Sequence, residues 1–109
     1  MKVYISGKIT GDPGYKQKFR KAAETLEAMG LIVLNPALLP EGMEPEDYMR
    51  ICCAMMESAD IIIMLPGWEY SQGAALEKMW GRYVKLPCYE YDEFVSFVGG
   101  SGKKQENTV

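Results

Sequence analysis

Short apolar runs alternate along the chain with longer stretches in which apolar residues return every three or four positions. Lys2 to Ser6, KVYIS, is a short β-rich run that breaks at Gly7. Beyond the loop GKITGDPG, Tyr15, Phe19, Ala22, Leu26 and Met29 recur at helical spacing with charges between them, and Gly30 stops that helix. Leu31 to Asn35, LIVLN, is apolar and bounded by Gly and Pro, which predicts a buried strand. The loop PALLPEGMEPED follows. Pro45 then opens a second helix, with Glu46 and Asp47 in the first turn where the helix dipole favours acids. Ile61 to Leu65 is apolar without interruption, and a strand apolar on both faces belongs to a parallel sheet covered by helices on both sides. A third helix runs from about Ser71 to Tyr83, KLPCYEY supplies a fourth strand, and DEFVSFV makes a last helix or turn.

This alternation predicts an α/β fold, a doubly wound three-layer sandwich of flavodoxin or Rossmann type with a parallel sheet of four or five strands. Residues 1–98 form one domain, and the Gly/Ser-rich, polar stretch 99–109 is expected to be a flexible tail. Ligands of such folds sit beyond the carboxyl ends of the strands. The segments SGKITG, NPALLP and LPGWEYSQG are then the ones to search for chemistry.

Composition narrows that search. A net charge of −3 argues against binding long nucleic acid, which needs a basic face. The local exception, YKQKFRK, is either a solvated helix face or a contact for a small phosphate. No apolar run approaches the ~20 residues of a membrane helix, and MKVYISGKIT lacks the apolar core of a secretory signal, so a cytoplasmic protein without membrane association is expected. The odd count of three cysteines, without C-x-x-C spacing, reads as reduced, buried thiols. There is no histidine, which removes the commonest general base and zinc ligand together. No metal and no cofactor are expected, and acid–base or nucleophilic work falls to carboxylates, tyrosines or thiols.

Within MLPGWEYSQGAALEKMW, Glu77 stands out, because the places three and four away hold Gly73, Ala74, Trp80 and Gly81 rather than a cation. Glycines on both sides leave open space for a ligand, or else permit close helix–sheet packing around a structural carboxylate. The amides at the start of this helix, near Ser71 and Gly73, suit an anion such as phosphate.

Taken together, Tyr4-Ile5-Ser6-Gly7, Asn35-Pro36 and Ser71-x-Gly73-x-x-x-Glu77, each after a strand, resemble the nucleoside 2-deoxyribosyltransferase family. They also resemble its smaller relatives, the 2′-deoxynucleoside 5′-monophosphate N-glycosidases. MLPGWEYSQGAALE is similar to a family of small phage and bacterial proteins grouped with those enzymes. The resemblance covers roughly residues 2–91. It implies a nucleoside 2-deoxyribosyltransferase-like domain that hydrolyses an N-glycosidic bond or transfers deoxyribose. Glu77 would be the nucleophile, with Tyr4 orienting it. Ser6 and Gly7 would contact sugar or phosphate, Asn35 and Pro36 would belong to the same crevice, and Ser71 with Gly73 would hold a 5′-phosphate. Ser71 also suits a helix N-cap. Trp68 would stack on a base or pack at a sheet edge or subunit contact, and Glu69 would meet a sugar hydroxyl or solvent. The partner implied is a small nucleoside or nucleotide. A homodimer or larger oligomer is implied too, for which the apolar residues of MRICCAMMES offer a helix face.

One departure matters. The glycosidases carry an aspartate that assists the leaving base at the position held here by Cys52. Asp12, Asp47 and Glu69 are the substitutes the sequence offers. A non-catalytic module that binds a nucleotide or an NAD-derived ligand is therefore the alternative to an enzyme.

Overall fold

The computed structural model describes residues 1–98; the expected flexible tail, 99–109, lies outside the described residues. In chain order the elements are β1 (Lys2–Ser6), α1 (Tyr15–Ala28), β2 (Ile32–Leu34), α2 (Pro45–Ser58), β3 (Ile61–Met64), α3 (Gln72–Tyr83) and β4 (Cys88–Glu90). Single 3-10 turns at Pro36–Leu38 and Trp68–Tyr70 lead toward α2 and α3, and a last helix, α4, spans 91–98. The strands form one parallel sheet in the order β2-β1-β3-β4. This is an α/β fold with helices on both faces, at the lower end of the expected four or five strands.

Local chemistry fixes the helix starts. Asp12 Oδ1 accepts from the Gly14 amide one residue ahead of α1. Glu44 and Asp47 form a reciprocal capping box ahead of Pro45 at the start of α2. Ser71 accepts from the Ala74 amide and caps α3. The caps of α2 and α3 are each worth about 1 kcal/mol.

Period-two alternation divides the strands between two cores. Val3, Ile5, Ile61, Ile63 and Leu65 face α1, where they bury Phe19 and Leu26. Tyr4, Ile62 and Met64 face the other way, against Cys52 and Met56 of α2 and Ala74 of α3. All of β3, and every residue of β1 after Lys2, is buried. β2, expected to be buried, is instead an edge strand with Ile32 60% exposed, because only β1 pairs with it. Of the three cysteines, all free, Cys52 is buried whereas Cys53 and Cys88 are half-buried. On α2, Cys52 and Met56 are buried against the sheet, Glu46, Arg50 and Glu57 are exposed, and the apolar Ile51 is 36% exposed. Among the described residues α3 carries an exposed apolar face: Leu76 is 48%, Met79 66% and Tyr83 89% exposed. No helix among the described residues is long and apolar enough to cross a membrane.

Candidate active site

Tyr4 and Ser6 are two residues apart on β1, so both point to the α3 side of the sheet. Glu77 lies on the inward face of α3 with Ala74 and Gly81. The three meet beneath the carboxyl ends of the strands. The Tyr4 hydroxyl donates to Glu77 Oε2 at 2.8 Å, and the Ser6 hydroxyl donates to Oε1 at 2.6 Å. Each carboxylate oxygen thus receives one neutral donor from a strand more than 70 residues away. Cys52 of α2 packs against the same group.

Glu77 is only 7% exposed, and the hydrogen bonds and ion pairs of the described residues give it no cationic partner. Burial pushes its carboxyl above the ordinary carboxylate range, and hydrogen bonds from Ser6, Tyr4 and Cys52 pull the other way without prevailing. Burial likewise raises the Tyr4 hydroxyl, with the charge of Glu77 adding to the effect, so Tyr4 stays a proton donor. The Cys52 thiol is pushed up to about 11, first by burial, and remains protonated.

Glu77 and Tyr4 form part of the wall of an open cavity of about 740 Å³. Its other walls come from the loop after β1 (Gly7 to Thr10), from Pro36 and the loop ahead of α2, from Tyr48 and Met49 of α2, and from Tyr70 to Gly73 at the start of α3. Gly73 earns its place by space: a Cβ there would approach only Ser71 Oγ, at 4.0 Å. Gly81 does not share this role. A Cβ on it would come within 2.8 Å of Ile62 Cδ1 and 2.9 Å of Cys88 Sγ, so close helix–sheet packing is its reason. Gly7 serves both purposes, lining the cavity while its α-carbon sits against Leu65 and Phe19.

The remaining residues singled out from the sequence are placed differently. Ser6 is fully buried behind Glu77 and reaches the cavity only through it. Asn35 turns its side chain back to accept from the Ala37 amide and lines a shallow groove beside α1 instead. Trp68 stands outside the cavity lining. Its indole N–H donates to Glu90, at 2.9 Å to Oε1, and Lys78 Nζ lies 4.2 Å from its ring centroid, so both its polar edge and one face are taken. Glu69, beside it, is exposed and also outside the lining. Asp12 is occupied by the Gly14 amide in the turn ahead of α1, and Asp47 by the capping box of α2. Lys16, from the basic stretch, pairs with Glu41 at 3.0 Å, and Lys18 donates to the Pro66 carbonyl at 2.6 Å.

Sequence reasoning missed the cavity's outer wall. Tyr48 bridges the loop ahead of its own helix, donating to the Pro40 carbonyl and accepting from the Met43 amide. Its helical spacing with Cys52 disguised it as an ordinary core position. Among the described residues, no group of three or more His, Cys, Asp or Glu side chains is arranged to hold a metal.

A family model described as "Domain of unknown function (DUF4406)" matches residues 1–89. No curated protein matches the chain. Among solved structures it is similar to a 2-deoxyribosyltransferase from the psychrotolerant bacterium Bacillus psychrosaccharolyticus, with a TM-score of 0.67 and 20% identity. That alignment covers 83% of this chain and 71% of the other. At such identity the likeness is one of fold.

Proposed function

The chain belongs to the DUF4406 family, and on the geometry of its site we propose that it cleaves the N-glycosidic bond of a small nucleoside or nucleotide, by hydrolysis or by transfer of the sugar. One observation carries this reading. A carboxylate is buried at a cavity wall, oriented by two neutral hydroxyls, and given no counter-ion among the described residues. Such a group is poorly compensated in the resting protein. It is best compensated when positive charge develops next to it, as on the anomeric carbon of an oxocarbenium-like transition state.

In this mechanism Glu77 attacks the anomeric carbon and forms a glycosyl ester, which water or a second base resolves. Tyr4 and Ser6 hold both oxygens of Glu77 in place and disperse its charge. The open start of α3 supports a 5′-phosphate: Gln72 and Gly73 line the cavity there, Ser71 caps the helix, and the helix dipole favours an anion. Pro36 and Gly7 complete the sugar-facing wall. The fold likeness to a 2-deoxyribosyltransferase supports the same substrate class. Incubation with a panel of nucleosides and their monophosphates, followed by chromatography for free base, tests this. Release by wild type and not by Glu77→Gln is expected. Equal release by both would refute the role of Glu77.

The non-catalytic reading keeps one specific support, Cys52 in the place where the sequence resemblance expects an acid. It predicts tight nucleotide binding without consumption.

A second copy of the chain is the partner we infer for α3. Gln72, Leu76, Met79 and Tyr83 form an uncharged stripe opposite the buried face of that helix. Antiparallel pairing about a two-fold axis between Glu77 and Lys78 sets Leu76 against Met79 of the partner subunit, and Gln72 against the partner's Tyr83. Glu69 then faces the end that carries Arg82 and Lys85, so the charges are complementary. With Tyr70, the stripe exposes on the order of 500–600 Å² per protomer, a large part of the ~800 Å² each partner contributes to a standard interface. Sedimentation should give a dimer that Met79→Glu converts to monomer; a wild-type monomer at high concentration would refute it.

A further inference from the structure

Breaking an N-glycosidic bond poses two electrostatic problems. Positive charge builds on the sugar, and the departing base takes the bonding electron pair. Glu77 answers the first. For the second, an ordinary base needs a proton from a nearby acid, and removing a general acid typically costs 10²–10⁴ in rate.

The cavity walls are suited to something else. Apart from Glu77, Glu41 is the only carboxylate lining the cavity among the described residues. It sits at the exposed mouth, bound to the Lys16 ammonium at 3.0 Å, and a proton on it would break that pair. Asp12, Asp47 and Glu69 do not line the cavity at all. The Tyr48 proton is committed to the Pro40 carbonyl. The thiol of Cys52 packs into the Glu77 group and holds its proton too tightly to serve as an efficient acid. The cavity lining is rich in aromatic and thioether side chains, Tyr15, Tyr48, Tyr70, Met43 and Met49, alongside the uncharged polar Thr10, Ser71 and Gln72. Ring faces and polarisable sulfur are favourable neighbours for a delocalised cation. Among the described residues Lys8 is the one cation in the lining, and it comes from the loop after β1.

We propose that the base of the substrate is itself a cation: an N-glycoside whose ring nitrogen carries a fixed positive charge, as in a pyridinium nucleoside or nucleotide or an N7-alkylated purine nucleoside. This rests on the reading of Glu77 as the nucleophile. The step balances without an acid. A Glu77 oxygen bonds to the anomeric carbon as the carbon–nitrogen bond breaks, and its electron pair neutralises the ring cation. The base leaves as a neutral molecule. Water then attacks the anomeric carbon, the ester electron pair returns to Glu77, and the proton of the water passes to solvent. Before reaction, the cationic ring supplies the counter-charge that Glu77 lacks.

Matched substrates test the proposal. Full-length protein and Glu77→Gln are incubated with 7-methylguanosine against guanosine, and with nicotinamide mononucleotide against cytidine monophosphate. Free base is measured by chromatography after subtraction of the enzyme-free rate. The expected result is turnover of at least one cationic member ~10²-fold or more faster than its neutral counterpart, the size of the missing acid contribution, and its loss in Glu77→Gln. Nicotinamide release alone assigns the pyridinium class, and 7-methylguanine release alone assigns the alkylated purines. Comparable rates within both pairs would overturn the cationic substrate while leaving Glu77 as nucleophile. Release from neutral members of the nucleoside panel without release here would likewise overturn the cationic substrate; no release from either set, or equal release by Glu77→Gln, would overturn the underlying reading as well. The pH profile gives a separate check. With nicotinamide mononucleotide, whose ring charge does not titrate, kcat/KM should rise through the Glu77 ionisation and then stay flat; an alkaline descent would reveal a general acid and refute the proposal.

Discussion

Replacing Glu77 by glutamine should make the protein more stable, although it removes the group on which the proposed chemistry depends. The side chains have the same shape. The amide oxygen accepts from one hydroxyl and the amide nitrogen donates to the other, so Tyr4 and Ser6, as rotatable hydroxyls, both keep a partner. What changes is charge. The two bonds fall from charge-assisted to neutral, a loss of roughly 1 kcal/mol each, while the desolvation of a buried carboxylate disappears. In wild type the desolvation is the larger effect, since the carboxyl is raised despite its donors. Each unit of that rise corresponds to about 1.4 kcal/mol, or roughly 5–10 °C in Tm for a domain of this size. The sign with pH follows. A carboxyl raised in the native state imposes its full cost when both states are ionised, above the folded pKa. As pH falls through that value the native protein takes up a proton first, and the cost vanishes below the unfolded pKa. Thermal melts from pH 8 to pH 5 should show Glu77→Gln well above wild type at pH 8, with the gap closing toward acid. A variant less stable than wild type at pH 8, or a gap that does not change with pH, would refute this account of Glu77.

Tyr4→Phe removes one donor from the buried carboxylate and shifts its ionisation further upward, so the acid limb of the activity profile should move to higher pH while substrate binding changes little; an unmoved limb would show that Tyr4 does not act through Glu77. Gly81→Ala should destabilise the fold by about 1–3 kcal/mol in denaturant titration, because its Cβ would meet Ile62 and Cys88, whereas Gly73→Ala should leave stability unchanged or raised and instead weaken ligand binding. Cys52→Asp places a second carboxyl beside Glu77, where two like charges cannot both ionise and one keeps its proton. It should confer measurable release of neutral bases, read in the same chromatographic assay.

The sequence by itself determined the type and order of the elements. Apolar spacing at Tyr15, Phe19, Ala22 and Leu26 and the uninterrupted run from Ile61 are local signals, and helix starts follow from caps a few residues long. Glu77 was legible too, because its helical neighbours are glycine, alanine and tryptophan. The pairing of Tyr4 and Ser6 with opposite oxygens of one carboxylate was not readable from periodicity; only the family resemblance pointed to Tyr4. It depends on the parallel register of β1 against β3 and on the rotation of α3 about its axis, which packing of Ala74 and Gly81 sets. The same packing set Trp68 against Glu90 and Lys78 and gave the two glycines of one helix face different purposes, while the strand order made β2 an edge. Local patterns reveal which side of an element is apolar. Which polar groups meet in the gap between elements is decided by sterics among residues far apart in the chain, and the candidate site lies in such a gap.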